Sequence, residues 1–137
     1  MKYFIDSSFI VSLFKLTDSN HEIAKKHMDI IDNNECYINN GVLLEVITIL
    51  MKKTKDNDIV KLVYGYLLDN FHIVNEYHIN NYNDEVIRLF LKYNNNNFKV
   101  SFIDCSSIVI SNYYDLDYIV SFDKGFKLFD EINLYEF

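Results

Sequence analysis

The stretch KYFIDSSFIVSLF, residues 2–14, decides the fold. Its first four residues form a short run with aromatic and β-branched members, which is typical of a buried strand. Apolar residues then recur at helical spacing from Phe9 to Phe14. The stretch therefore predicts a strand followed directly by a helix, with Asp6 at the junction between them.

The same alternation of short apolar runs and helical patterns continues to the end of the chain. Further strands are predicted at residues 35–39, 72–75, 118–121 and 134–137, with helices between them. Ser19 and Glu22 have the spacing of a capping box at the start of the second helix, and Asp56 or Asn57 begins another. Strands that alternate with helices predict an α/β fold with a central parallel sheet of about four to five strands and helices on both faces. Because no linker or repeat interrupts the pattern, residues 1–137 are expected to form a single domain.

The charge balance restricts how this protein can meet its partners. Thirteen basic and twenty acidic residues give a net charge of −7, which argues against a general electrostatic grip on nucleic acid, so that any such contact must be local. Cys36 and Cys105 are isolated in the sequence and are expected to be free thiols. Without a signal-peptide pattern or a membrane-length apolar run, the expected location is the cytoplasm.

Four acidic residues lie where chemistry is expected. Asp6 and Asp123 follow predicted strands, and ligands of open parallel sheets bind beyond the carboxyl ends of the strands. Each could instead cap the following helix, and Asp104 could answer Ser101 in a capping box. Glu45 is harder to explain structurally, because it lies within the apolar helical stretch VLLEVITIL, although an exposed helix face could accommodate it.

Four carboxylates drawn together would repel one another and raise their own pKa values. A divalent cation removes that difficulty, and carboxylate oxygens are the ligands that suit Mg²⁺ or Mn²⁺. Paired ions of this kind can support hydrolysis of phosphodiester bonds. The residues thus indicate a metal-dependent site as the alternative to four separate helix caps.

The four acids occur in an order that resembles a known family. FIDSS around Asp6, VLLEV around Glu45, SFIDCSSIVIS around Asp104 and VSFDKGF around Asp123 resemble the PIN-domain ribonucleases, and the chain length resembles their VapC-type toxin branch. The resemblance runs over nearly the whole chain. Each motif is short, and only their ordered combination is specific.

The resemblance implies a function and a set of roles. The four acids would be catalytic, hold one or two Mg²⁺ or Mn²⁺ ions, and hydrolyse RNA to leave a 5′-phosphate and a 3′-hydroxyl. Ser8 and Ser121 would orient the carboxylates. Relatives commonly form homodimers and, when they are toxins, are inhibited by a small antitoxin protein.

Substrate contact would need local positive charge. Lys52, Lys53 and Lys55 form the densest basic cluster and are the predicted RNA contacts, and the other lysine pairs are Lys25 with Lys26 and Lys124 with Lys127. Such lysines can equally be an ordinary solvated surface. Residues 56–97 contain no recognisable motif, so the RNA target and the cognate inhibitor stay open.

Alternative functions fit the sequence less well. A dehalogenase-type phosphatase would need an acid at the position of Ser8, and the glycine-rich loops of nucleotide-binding proteins are missing. A non-catalytic PIN-like binding or scaffold domain, which would generally have lost one or more acids, is the main rival. An RNA-processing nuclease without an antitoxin is another.

Overall fold

The computed structural model describes residues 1–137 and contains one five-stranded sheet. Its strands are β1 (Lys2–Ile5), β2 (Glu35–Asn39), β3 (His72–Val74), β4 (Tyr118–Val120) and β5 (Asn133–Leu134). All neighbouring strands pair in parallel, in the order β3-β2-β1-β4-β5. The predicted parallel sheet is confirmed, and only the last strand is shorter and earlier than expected.

Seven α-helices connect these strands. They are α1 (Ser7–Phe14), α2 (His21–Lys26), α3 (Asp29–Asn33), α4 (Asn40–Thr54), α5 (Asn57–Asn70), α6 (Tyr82–Tyr93) and α7 (Phe102–Tyr113), and 3₁₀ turns occupy Glu76–His78 and Lys124–Leu128. The chain runs from β1 to β3 towards one edge of the sheet and then returns past β1 to β4. Because parallel crossovers are right-handed, this reversal puts α1–α5 on one face and α6 and α7 on the other.

The helix starts follow side-chain capping at most of the predicted positions. Asp56 accepts hydrogen bonds from the N–H groups of Asp58 and Ile59, and Ser101 forms the predicted capping box with Asp104. These bonds occupy donors that the first helical turn leaves without partners.

The capping box predicted for the second helix was wrong. Asn20 is the N-cap of α2 and makes no side-chain capping bond. Oδ1 of Asp18 instead accepts hydrogen bonds from the Ser12 hydroxyl and the Asn20 N–H, which ties this segment to α1. The single helix expected here is divided into α2 and α3.

The hydrophobic core lies on both faces of the sheet. Phe4, Ile38 and Ile119, in the three central strands, are fully buried, as are Val46 and Leu50 of α4. Burial on both faces is characteristic of parallel sheets covered by helices. Cys36 and Cys105 are free and buried, as expected. None of the helices has both the length and the apolar character needed to span a bilayer.

The strand order also determines where a site can form. The chain direction reverses between β1 and β4, and the carboxyl ends of these two strands border the crevice that such a reversal creates. Asp6 follows β1 and Asp123 lies shortly after β4, so both predicted acids belong to this edge.

Candidate active site

Asp6 is held by two hydroxyl groups from distant parts of the chain. Its Oδ2 atom accepts hydrogen bonds from the hydroxyls of Ser8 at 2.8 Å and of Ser121 at 2.7 Å. The two hydroxyl oxygens are themselves 3.1 Å apart. Because both bonds reach the same carboxylate oxygen, they fix the orientation of the group and leave Oδ1 without a hydrogen bond from the protein.

The alternative role of Asp6 as a side-chain helix cap is not observed. Asp6 is the N-cap residue of α1, but its side chain makes no capping hydrogen bond, and only its backbone carbonyl accepts from the Phe9 N–H at 3.2 Å. The carboxylate turns towards the serine hydroxyls instead. A capping role therefore does not explain the presence of this acid.

The same hydroxyls organise the turn that carries Asp123. Ser8 Oγ accepts from the Phe122 N–H at 3.0 Å, and Ser121 Oγ accepts from the Asp123 N–H at 2.9 Å. The exposed Asp123 side chain accepts from the Gly125 N–H at 2.9 Å, so the predicted cap is present here. The end of β4 and the start of α1 are thus joined in one hydrogen-bond network.

Glu45 projects from α4 towards the same edge. Burial raises the pKa of the Glu45 carboxyl, the negative charges of Asp6 and Asp104 raise it further, and a contact with the Ser7 hydroxyl lowers it in part. Because charges act over short distances inside a protein, these effects indicate that Glu45 lies close to both aspartates.

Asp104 completes the group from the first turn of α7. Burial raises the pKa of its carboxyl, hydrogen bonds from Ser101 oppose that effect, and the charges of Asp123 and Asp6 raise it further. The three ion pairs of the structure lie elsewhere, between His72 and Glu35, Arg88 and Glu85, and Lys92 and Glu131. The four acids therefore lie near one another without a basic partner to balance them.

Comparison with known proteins identifies the family. The PIN domain profile matches residues 3–132. This chain belongs to the PIN domain family. No curated protein sequence is significantly similar to this PIN domain.

Solved structures share the fold of this PIN domain at low sequence identity. The Mycobacterium tuberculosis toxin VapC20, described as cleaving the sarcin-ricin loop, superposes with a TM-score of 0.77 at 19% identity, covering 96% of this chain and 98% of that chain. VapBC2 of Rickettsia felis, bound to a promoter DNA fragment, gives 0.76 at 14% identity, with 98% of each chain covered. A toxin-antitoxin complex from Klebsiella pneumoniae gives 0.70 at 17% identity, covering 98% and 99%.

The metal prediction depends on how closely the acids of this PIN domain can gather. No three His, Cys, Asp or Glu side chains are placed close enough together to coordinate one ion. The available donors are nevertheless carboxylate oxygens from four elements, without a thiolate or imidazole among them, and this donor set suits Mg²⁺ or Mn²⁺ rather than zinc. The chemistry of the residues fits the ion, and coordination itself stays a prediction.

The predicted RNA-contact lysines lie away from the acids. Lys52 and Lys53 are in the last turn of α4, and Lys55 is its C-cap. Because α4 begins at the carboxyl edge of the sheet and rises 1.5 Å per residue, these lysines are about 10–15 Å beyond Glu45 along the helix axis. Their role in binding RNA stays a prediction.

A second basic cluster lies closer to the acids of the PIN domain. Lys124 directly follows Asp123 in the chain. Lys124, Lys127 and Ser121 share the lining of a cavity of about 480 Å³. Since Ser121 also binds Asp6, this cavity adjoins the acidic group.

Sequence reasoning missed one buried acid at this edge. Glu76 is only 5% exposed and accepts hydrogen bonds from the Asn39 side chain and the Gly41 N–H. The available signal was its position just after the apolar strand HIV, which is the same signal that singled out Asp6. It was missed because the segment that contains it matches no motif.

Proposed function

We propose that this PIN domain is a Mg²⁺- or Mn²⁺-dependent endoribonuclease that acts as the toxin of a VapBC-type toxin-antitoxin pair. The main support is the group of four carboxylates, from the end of β1, from α4, from the start of α7 and from the turn after β4, which raise one another's charge burden without a basic partner. Burial of like charges is unfavourable unless a cation compensates for it. The fold shared with toxin structures agrees with the proposal.

The acids Asp6, Glu45, Asp104 and Asp123 would hold the ion. A bound divalent ion would supply an activated water and stabilise the oxygen that leaves the scissile phosphate. The protein's own contribution is orientation. Hydroxyls fix Oδ2 of Asp6, the Ser101 backbone and hydroxyl fix the start of α7, and the Gly125 N–H fixes Asp123.

Ser8 and Ser121 are proposed as the groups that orient Asp6 for this role. Each donates its hydroxyl proton to Oδ2, and each also accepts a backbone N–H from the turn after β4. Partners of this kind restrict the rotation of a ligating carboxylate. The free Oδ1 atom is therefore presented in a constant direction.

RNA and protein partners are part of the same proposal. Lys52, Lys53 and Lys55 on one side, and Lys124 with Lys127 on the other, are the local cations available to RNA phosphates on a chain of net charge −7. Leu44, Leu62 and Leu68 of α4 and α5 are 69%, 67% and 49% exposed. These apolar side chains favour a protein partner, as expected for an antitoxin or a homodimer acting in the cytoplasm.

The decisive experiment is cleavage of labelled structured RNAs by the wild type, Asp6→Asn and Asp130→Asn, each with Mn²⁺, Mg²⁺ or chelator. Asp130 is an exposed acid just before β5 and serves as the matched control. Cleavage by the wild type and Asp130→Asn that requires metal, and is lost in Asp6→Asn, is the expected result. Absence of cleavage across several RNAs, together with no Mn²⁺ binding in calorimetry, would overturn the proposal in favour of a non-catalytic binding domain.

The toxin role needs a separate test. Induced expression of the wild type is expected to arrest growth, whereas Asp104→Asn is expected to be harmless at equal protein level. Co-expression of the small protein encoded beside this gene is expected to relieve the arrest. Metal-dependent cleavage in vitro without growth arrest would identify an RNA-processing nuclease instead.

A further inference from the structure

Glu76 joins the ends of two strands to the start of a helix. It lies two residues beyond the end of β3, and Val74 of that strand pairs with Asn39, the last residue of β2. Its Oε2 atom accepts a hydrogen bond from the Asn39 side-chain amide and another, at 3.2 Å, from the Gly41 N–H. Asn39 in turn accepts from the Val42 N–H at 3.0 Å as the N-cap of α4.

The burial of this carboxyl group is unusual. Glu76 is 95% buried by its 5% exposed fraction, it takes part in none of the ion pairs, and its Oε1 atom is buried without any hydrogen-bond partner. Buried acids without a cation are rare, and an orphaned buried oxygen is unfavourable. Such a group is retained against its energetic disadvantage, which suggests a role beyond packing.

The favourable part of its environment is the N-terminus of α4. This helix has fifteen residues and no acidic residue in its own first turn. The exposed N–H groups and the dipole at a helix N-terminus favour a negative charge there. Glu76 supplies that charge from another element, so its carboxyl group attaches the helix start to the sheet.

The attachment point lies directly below Glu45. Gly41, whose N–H binds Glu76, precedes Glu45 by one helical turn, so the two residues lie on the same face about 6 Å apart along the axis. Any displacement of the first turn therefore moves the Glu45 carboxylate relative to Asp6 and Asp104.

We infer that Glu76 is a positioning residue of the nuclease site, which holds the first turn of α4 on the ends of β2 and β3 and thereby places Glu45 against the aspartates. This inference rests on the proposed metal-dependent function. It concerns an acid that itself stays out of the ion's reach, since its only bonded atoms face Asn39 and Gly41.

The test measures Mn²⁺ affinity by calorimetry and hydrogen exchange of residues 40–46 for the wild type and its Glu76 variants. Glu76→Ala removes the attachment, Glu76→Asp shortens it by one methylene, and Glu76→Gln preserves an acceptor for Gly41. Glu131→Ala is the matched control, because Glu131 is also a partly buried acid with hydrogen bonds, to Tyr93 and Lys92, but lies away from α4.

The expected result is Mn²⁺ affinity about 10- to 100-fold weaker in Glu76→Ala, as for other residues that orient metal ligands, with faster exchange confined to the first turn of α4. Glu76→Gln is expected to restore affinity to near the wild-type value, and Glu131→Ala to leave it unchanged. If Glu76→Ala does not fold, the same loss in affinity, to a lesser degree, is expected of Glu76→Asp.

Two other outcomes are distinguishable. If the wild type binds Mn²⁺ and a folded Glu76→Ala or Glu76→Asp binds it equally well, Glu76 has no positioning role. The same conclusion follows if Glu131→Ala weakens affinity as much as the Glu76 variants, because general loosening would then explain the loss. If the wild type binds no Mn²⁺, the proposed function fails first, and the inference about Glu76 falls with it.

Discussion

The hydroxyl of Ser121 donates a 2.7 Å hydrogen bond to Oδ2 of Asp6, although 115 residues separate the two in the chain. The bond is possible because β1 and β4 are neighbours in the sheet, with Ile5 paired to Val120. Residues that immediately follow two paired parallel strands emerge at the same edge. The relationship therefore depends on the order of the strands and shows why that order matters to the site.

Removal of this hydroxyl is expected to affect metal binding more than a comparable hydroxyl elsewhere. Hydrogen bonds to charged groups contribute about 1.5–3 kcal/mol, so Ser121→Ala should lower the free energy of unfolding by that order. Loss of an orienting partner should also weaken Mn²⁺ affinity about 10- to 100-fold. Urea unfolding and calorimetry measure the two effects.

Ser111→Ala is the control for that variant. Ser111 is fully buried and its hydroxyl donates to the Ser107 carbonyl within α7, away from Asp6. Its loss should change stability without changing Mn²⁺ affinity. Because Ser8 and Ser121 bind the same oxygen, Ser8→Ala with Ser121→Ala should be non-additive, and strict additivity would argue against a shared network.

The pH dependence of the metal-free protein should reveal the crowding of the acids. The pKa of Glu45 is raised by burial and by its charged neighbours, so folding favours its protonated form. The stability it contributes is present at low pH and is lost as the pH rises above the ordinary value of 4.5 and through the raised value. Glu45→Gln should therefore gain stability relative to the wild type as the pH rises to 7.

Glu131→Gln should show the opposite sign. Burial acts to raise the pKa of Glu131, but hydrogen bonds from Tyr93 and Lys92 outweigh it and lower the pKa overall. Its stabilising contribution is therefore present above the ordinary value of 4.5 and is lost as the pH falls. Urea unfolding from pH 4 to pH 7 compares both variants with the wild type, and parallel curves for Glu45→Gln would contradict the prediction.

Manganese should reverse the penalty of the crowded acids. A ligand that binds only the folded state at 100 times its dissociation constant adds about 2.7 kcal/mol to stability. The wild type should gain that amount, and Glu45→Gln should gain less at the same Mn²⁺ concentration because it offers one carboxylate fewer. Equal gains in the two proteins would place Glu45 outside the metal site.

The two basic clusters can be separated by RNA binding in chelator, where no cleavage occurs. Lys124 and Lys127 border the cavity next to Ser121, whereas Lys52 and Lys53 lie at the far end of α4. Replacing Lys124 and Lys127 with alanine should weaken binding about 10-fold and reduce the salt dependence by about 0.7 per lost phosphate contact with single-stranded RNA. The Lys52 and Lys53 double variant should have the smaller effect, and the reverse ranking would assign the RNA path to α4.

The two thiols should be unreactive in the folded protein. Burial raises the pKa of Cys36 to about 12, and burial together with the charge of Asp104 raises that of Cys105 to about 11. Since the thiolate is the reactive form, labelling by a disulfide reagent at pH 8 should be slow and should become rapid in denaturant. Rapid native labelling of either residue would show that its surroundings open readily.

Much of the fold followed from local patterns that do not need tertiary information. The stretch KYFID predicted β1 because its apolar run is short and bounded by an acid, and α7 was predicted together with its Ser101 cap. The second helix was predicted wrongly because Asp18 bonds to Ser12 across a turn, a contact that competes with the capping box and is invisible to sequence spacing.

The sequence by itself determined the alternation of strands and helices, the four acids and their order, and the two serines beside Asp6. Those features depend on periodicity and on residue type, which are local properties. Only the tertiary structure decided that Asp6 binds hydroxyls instead of capping α1, that its lysine neighbours are Lys124 and Lys127, and that Glu76 anchors α4. These outcomes depend on which strand lies beside which, because the order of strands brings distant residues to one edge of the sheet.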